Sequence, residues 1–346
     1  MRIETDIKLD YQDVLLKPKR SKLSSRKEVL MEREFKFLHS GLNFTGIPIV
    51  ASNMDGVGTF SMAKVLQNRK MLTVIRKHYS IKEWENAFDN DLNPEYISVC
   101  TGINQMWEED AIDFNTLKKV LNEFPQIPFI TIDVANGYHQ NFVDFIKQVR
   151  DSFPDKTIIA GNVITAEMTE ELILNGADIV KCGIGPGSVC TTRLMTGVGI
   201  PQLSGMIECA DAAHGVGGLV IADGGCVYPG DVAKAFGAGS DFVMLGGMLA
   251  GHDESEGEVK NGQIKFYGMS SDTAMSIHGS GKEGYRGSEG KLVTLKHRGP
   301  VEETLIEIVG GVRSACTYIG AKRIKDMPKC STFVRVNQQV NTVFDN

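Results

Sequence analysis

The chain has 346 residues, 42% hydrophobic and 23% charged, enough apolar material to bury a large core. Its 37 basic and 43 acidic side chains leave a formal net charge of −6, so no basic field is present to grip a nucleic-acid backbone. No run approaches the roughly 20 apolar residues that span a bilayer, and the first residues lack the apolar centre of a secretion signal, which predicts a cytoplasmic protein without nucleic-acid or membrane partners.

Residues 1–46 read as an N-terminal arm with a basic patch, Lys17-Pro18-Lys19-Arg20. Short apolar runs then predict eight strands, at 47–51, 72–75, 96–100, 129–134, 157–161, 179–183, 219–222 and 242–245. Most are continuous rather than alternating, the pattern of parallel strands covered on both faces. Helical spacing of apolar residues appears between them at 60–67, 114–124, 140–153, 166–174 and 204–214. Thr165 stands as an N-cap, and Gly176 stands where a C-terminal glycine would end that helix. Alternating β and α elements allow an open doubly wound sheet or a closed (β/α)8 TIM barrel, and eight strands favour the barrel. A polar, glycine-rich excursion at 252–297, a helix at 302–319 and a C-terminal tail follow. No interdomain linker is evident, so the expectation is one α/β barrel domain, 1–346, with the arm and an active-site flap at 252–297 as decorations.

Polar or glycine residues stand at nearly every strand end: Ser52-Asn53, Arg76-Lys77, Thr101-Gly102, Asp133, Asn162, the run 183–190, Asp223-Gly224-Gly225 and Gly246-Gly247. In a barrel these converge on the face where active sites are built. The loops after strands seven and eight commonly hold phosphate there, and the bare backbone of Gly224, Gly225, Gly246 and Gly247 allows close approach. Asp223 is suited to ribose hydroxyls. The seven cysteines (100, 182, 190, 209, 226, 316 and 330) have no metal-ligand spacing and read as reduced thiols. Cys100, Cys182 and Cys209 are expected to be small buried apolar groups. Cys190 differs, because it lies on a glycine-rich loop with Arg193 near enough in sequence to favour a thiolate.

That loop, Gly183-Ile184-Gly185-Pro186-Gly187-Ser188-Val189-Cys190-Thr191-Thr192-Arg193, resembles the active loop of the IMP dehydrogenase/GMP reductase family. The resemblance implies that Cys190 attacks C2 of a purine to form a covalent thioimidate, with Thr192 helping to shuttle the proton. It also implies a monovalent cation, K+, on loop carbonyls near Gly185, Gly187, Cys190 and Arg193. To the mononucleotide site it adds Ser188 and Gly268-Met269-Ser270.

Three features resemble the reductase branch rather than the dehydrogenase branch. No loop between strands one and seven could hold the regulatory domains usual in dehydrogenases. The flap has no Arg-Tyr-Phe run and instead reads Tyr285-Arg286-Gly287-Ser288-Glu289-Gly290-Lys291. Asn53-Met54-Asp55, Arg76-Lys77-His78-Tyr79, Asp133-Val134-Ala135-Asn136-Gly137-Tyr138 and the tail Thr332-Phe333-Val334-Arg335-Val336 also look like reductase segments. The implied reaction is NADPH-dependent reductive deamination of GMP to IMP and ammonia, with Glu289 completing the proton relay. Arg286, Gly287, Ser288, Glu289 and Gly290 would then touch GMP. NADPH would meet Ser25, Arg26, Lys77, Asp133, Val134, Ala135, Ile184, Gly185, Met269, Tyr285, Arg286 and the run Ser314-Ala315-Cys316-Thr317. Residues as distant as 26 and 314 are expected to meet only across a subunit boundary, in keeping with the family's homotetramers. Gly56, Arg76 and Gly287 depart from the family's usual residues. The alternatives are an IMP dehydrogenase lacking regulatory domains, a flavin-dependent barrel oxidoreductase, and a nucleotide-binding protein without turnover.

Overall fold

Eight parallel strands close on themselves in the computed structural model, which describes residues 1–103, 112–278, 287–337 and 339. They are β1 (Ile49–Ala51), β2 (Leu72–Ile75), β3 (Ile97–Thr101), β4 (Phe129–Asp133), β5 (Thr157–Val163), β6 (Ile179–Cys182), β7 (Leu219–Asp223) and β8 (Phe242–Leu245). Each pairs with its chain neighbours, and β8 returns to β1 with Val243 beside Ile49. The helices α1 (Phe60–Gln67), α2 (Ile81–Asp89), α3 (Ile112–Glu123), α4 (Gln140–Ser152), α5 (Ala166–Leu174), α6 (Gln202–Gly215), α7 (Pro229–Gly237) and α8 (Val301–Ile319) follow the strands in turn. This is a (β/α)8 TIM barrel.

The unbroken apolar strands have a simple cause. One set of residues, including Val50, Leu72, Val74, Phe129, Ile159 and Ile221, fills the barrel, while Ile49, Ile75, Ile130, Ile158, Val180 and Val243 pack under the helices. Both faces are buried, so neither alternates with polar residues.

The arm holds structure that apolar runs did not predict. Arg33–Lys36 and Asn43–Gly46 form an antiparallel hairpin. Phe35, Phe37 and Phe44 from this hairpin enter the barrel from below. Phe35 stacks on Phe242 at 4.3 Å, and Phe37 and Phe44 meet Phe129 edge-on at 5.5 and 5.7 Å. Two buried carboxylates pin the plug: Arg33 donates to Asp241 (2.7 Å), and the His39 and Ser40 amides donate to Asp178 (2.7 and 3.1 Å). Each stands at the entry of a barrel strand, so the N-terminal mouth is sealed and the opposite face is left for ligands.

Helices α2 and α7 were absent from the expected set. The first carried a legible signal, a capping box in which the Glu83 carboxylate accepts the Ser80 amide (2.7 Å) and the Ser80 hydroxyl accepts that of Glu83 (3.4 Å). The second opens on Pro229-Gly230, which reads as a turn, and is buried from Asp231 to Gly237, its Asp231 and Lys234 included. Thr165 occupies the N-cap of α5 but makes no side-chain cap bond, and Gly176 takes a φ of +115° beyond its end. The 252–297 excursion contains a hairpin of Gln263–Tyr267 with Leu292–Lys296 and a short helix, Asp272–Ile277. In the tail, Phe333–Arg335 pairs antiparallel with Val14–Leu16 of the arm. Among the described residues no helix is long and apolar enough to cross a membrane.

Candidate active site

The loop after β6 carries Cys190 across the C-terminal mouth of the barrel. It is zipped to the second half of the excursion: Cys190 and Gly290 form an antiparallel bridge, Thr191 N donates to Glu289 O (2.8 Å) and Lys291 N donates to Val189 O (2.9 Å). This bridge brings Glu289 beside Thr192, 97 residues away in sequence. The half-buried Cys190 thiol donates to Thr192 Oγ1 (3.2 Å), and that hydroxyl donates to Glu289 Oε2 (2.7 Å). A proton thus has a hydrogen-bonded route from sulfur through oxygen to a carboxylate.

Arg193 is held by the arm. Its guanidinium pairs with Asp10 of the arm (2.8 Å) and donates to Ile200 O (2.8 Å). Its charge is therefore met by Asp10, and the hydrogen-bond partner of the Cys190 thiol is Thr192. Asp10 also accepts the Gln202 amide at the start of α6 (2.5 Å), so the arm braces the far end of the loop.

The cavity around Cys190 is lined by Asp223-Gly224-Gly225, Gly246-Gly247 and Ser188, and beyond these by Gly268, Met269 and Ser270. Gly224 has a φ of +87°, and a Cβ there would lie 3.0 Å from Pro186 Cγ and 3.1 Å from Gly187 N, so only glycine lets this loop abut the cysteine loop. Asp133, Val134 and Ala135 at the end of β4, and Ile184 and Gly185 of the cysteine loop, share the same lining. Between Asp133 and Asp223 runs a buried ladder. Lys181 Nζ lies 2.7 Å from Asp133 Oδ1 and 2.8 Å from Asp223 Oδ2. Asn53 donates to Asp133 Oδ2 (2.8 Å), and Asn162 donates to Asp223 Oδ2 (2.8 Å). Burial alone would raise the Asp133 pKa, but the Lys181 ammonium, with Asn53 and Lys77, holds it below the usual carboxylate value. Lys181 was not among the expected site residues. The signal was there: a lysine inside an otherwise apolar strand is costly to bury and requires carboxylate partners.

The remaining expected residues fall in three places. Lys77 reaches toward Gly102, where its Nζ would be 3.0 Å from an added Cβ, and its charge acts on Asp133. Ser25 and Arg26 form an exposed turn and Ser314 to Thr317 lie on α8; neither segment lines the Cys190 cavity. They need no subunit boundary to meet, because Arg313 donates to Arg26 O (3.4 Å) and Val29 O (3.0 Å) within one chain. The Cys316 side chain faces the core, where burial pushes its thiol up to about 12. In the flap, Ser288 Oγ donates to Gly290 O (3.0 Å) and Gly287 is exposed. Tyr285 and Arg286 lie outside the described residues.

The departures have visible partners. Arg76 donates to Asp55 O (3.1 Å), pairs with Glu256 (3.4 Å) and covers the Tyr79 ring at 4.4 Å. Asp55 receives the Tyr267 hydroxyl (2.7 Å) and bonds His278 Nε2 (2.7 Å), while His278 stacks on His78 at 3.6 Å. A Cβ at Gly56 would meet only Phe266, at 3.9 Å, so that position has room for a side chain.

Known proteins resemble this chain along almost its whole length. A model of the IMP dehydrogenase / GMP reductase domain matches residues 8–342. Over its full length the chain is 58% identical to the full-length GMP reductase of Klebsiella pneumoniae subsp. pneumoniae. It is 57% identical, again over both full lengths, to the GMP reductases of Escherichia coli O157:H7 and of E. coli K12. With its eight-stranded barrel, its cysteine loop and a match across nearly all of its residues, the chain belongs to the IMP dehydrogenase / GMP reductase family.

Proposed function

We propose that the protein catalyses the NADPH-dependent reductive deamination of GMP to IMP and ammonia, as a step of purine nucleotide interconversion. The observation that carries this reading is the Cys190–Thr192–Glu289 chain, set at the edge of a glycine-lined cavity in a chain 58% identical to a GMP reductase. The Cys190 thiol gives up its proton through Thr192 toward Glu289, and the sulfur attacks C2 of the purine, forming the C–S bond. The proton then returns along the same route to the 2-amino group. The C2–N bond breaks, ammonia leaves, and a thioimidate remains. NADPH, when bound, supplies the hydride that C2 accepts as the C–S bond breaks and the thiolate is regenerated. The phosphate would be held by Gly224, Gly225, Gly246, Gly247 and Ser188, and the ribose by Asp223, with Gly268 to Ser270 and residues 287–290 over the base.

The cofactor fits the remainder of the same cavity. Asp133 to Ala135, Ile184 and Gly185 share the lining with Cys190, and Lys77 supplies a cation beside Asp133. Ser25, Arg26 and the segment 314–317 do not share that lining, so they would serve a neighbouring subunit's cofactor. Assembly into a homotetramer is supported by this arrangement and by exposed Leu194, Met195 and Val198 beside the cysteine loop. A K+ ion would be held by carbonyls of Gly185, Gly187, Cys190 and Arg193. That donor set is neutral, as suits a weakly hydrated monovalent cation, although Gly187 O and Arg193 O already accept backbone amides (3.1 and 3.2 Å). We read residues 1–346 as one catalytic barrel decorated by the arm 1–46 and the flap segment 252–297, acting in the cytoplasm. The deciding experiment mixes protein, GMP and NADPH and follows NADPH loss together with ammonia. One ammonia released per NADPH consumed is expected; NAD+ reduction with IMP, and no ammonia from GMP, would overturn the reading in favour of a dehydrogenase.

A further inference from the structure

The proposed chemistry makes no use of Lys181, yet the site is built around it. Its side chain is 4% exposed and leaves β6 between two carboxylates that end different strands, Asp133 on β4 and Asp223 on β7. Burial alone would lower the Lys181 pKa, but the two carboxylates outweigh it and the ammonium is held charged. The bonds from Lys181 and Asn162 to Asp223 both fall on Oδ2, which among the described residues leaves Oδ1 for a ligand. Asp133 is met at Oδ1 by Lys181 and at Oδ2 by Asn53. Each asparagine therefore serves one carboxylate, and the lysine serves both.

We propose that Lys181 is a shared positioning residue, one ammonium that fixes the ionised and aimed state of both the ribose-side and the cofactor-side carboxylate, so that the GMP and NADPH subsites rest on a single charge. This rests on the functional reading above, which takes Asp223 and Asp133 to face the two nucleotides. The physical reason is cost. Two carboxylates on one cavity floor repel each other and lose hydration, and one buried cation between them offsets both penalties. A lysine with a merely structural role would lower thermal stability when removed without weakening the two ligands together.

The asparagines provide the internal control. GMP and NADPH are titrated separately into full-length wild-type protein and into Asn53→Ala, Asn162→Ala and Lys181→Met variants by calorimetry. Asn162→Ala should weaken GMP several-fold and leave NADPH unchanged, and Asn53→Ala should do the reverse. Lys181→Met should weaken both, each by about tenfold or more, as for loss of one member of a buried charge pair. If that variant does not fold, Lys181→Met/Asp133→Asn is compared with Asp133→Asn, since the double variant keeps the wild-type net charge of the ladder. GMP should then bind about tenfold more weakly to the double variant. A folded Lys181 variant that binds both nucleotides normally, or loses only one, overturns the proposal. So does equal GMP affinity in the single and double Asp133→Asn proteins. Failure of the functional reading would show separately, as wild-type protein that binds neither nucleotide.

Discussion

Glu289→Gln removes one proton acceptor and little else. The Glu289 backbone contacts, with Thr191 N and Ser270 O, do not depend on the side chain, so the bridge between flap and cysteine loop should persist. A glutamine amide oxygen can still accept the Thr192 hydroxyl, now at 2.7 Å from Glu289 Oε2, but cannot carry a proton onward. Positioned acid–base groups contribute about 10²- to 10⁴-fold, so kcat for deamination should fall by that factor, ~2.7–5.4 kcal/mol of activation free energy. KM for GMP should stay within about threefold, because no ground-state contact is lost. Hydride transfer needs placement rather than this proton. Ammonia release from GMP with NADPH measures the first step. NADPH formed from IMP and NADP+ without added ammonia measures the second, and the variant should still reach about one equivalent per site. A variant that deaminates at the wild-type rate, or that loses the hydride step equally, would refute the relay.

Cys190→Ser should abolish turnover yet bind GMP within a few-fold of wild type by calorimetry, since the ribose group and, apart from Ser188, the phosphate groups sit on other loops; normal turnover would end the covalent mechanism. Gly224→Ala forces a side chain into a φ of +87° and against Pro186 and Gly187, so GMP affinity should fall with little change in the NADPH titration. His214 is raised by its hydrogen bond to Asp241 more than burial lowers it. Its stabilising contribution is therefore complete below the unfolded value of about 6.5 and lost as pH rises through the higher folded value. The Tm gap between wild type and His214→Gln should shrink as pH is raised from about 6 to about 8; a gap that widens would reverse the assigned sign.

Much of the barrel was legible because parallel strands buried on both faces read as unbroken apolar runs, and eight were found in chain order. Helix α5 was predicted at its observed bounds, and α1 likewise, since each is a short amphipathic segment between clear breaks. The hairpin 33–46 escaped because its phenylalanines alternate with charged and polar residues and its burial comes from filling the barrel mouth. Helix α7 escaped because it opens on Pro229-Gly230 and buries Asp231 and Lys234 with its apolar residues, so its polar positions do not mark a solvent face.

The site divides along the same line. Cys190, Thr192 and the glycine loops are local features, so residue type and order suffice to place each on its strand-end loop. Glu289 was expected only by resemblance, and the bridge from Cys190 to Gly290 is what sets its carboxylate against Thr192. The partners of Lys181 come from β4 and β7, on either side of β6 around the closed barrel, and Asp10 reaches Arg193 from 183 residues away. Sequence alone determined which groups this protein places at its strand ends, because burial and turn formation act over a few residues. Only closure of the barrel decided which of those groups meet, because hydrogen bonds and ion pairs act over a few ångströms between segments that the chain order keeps far apart.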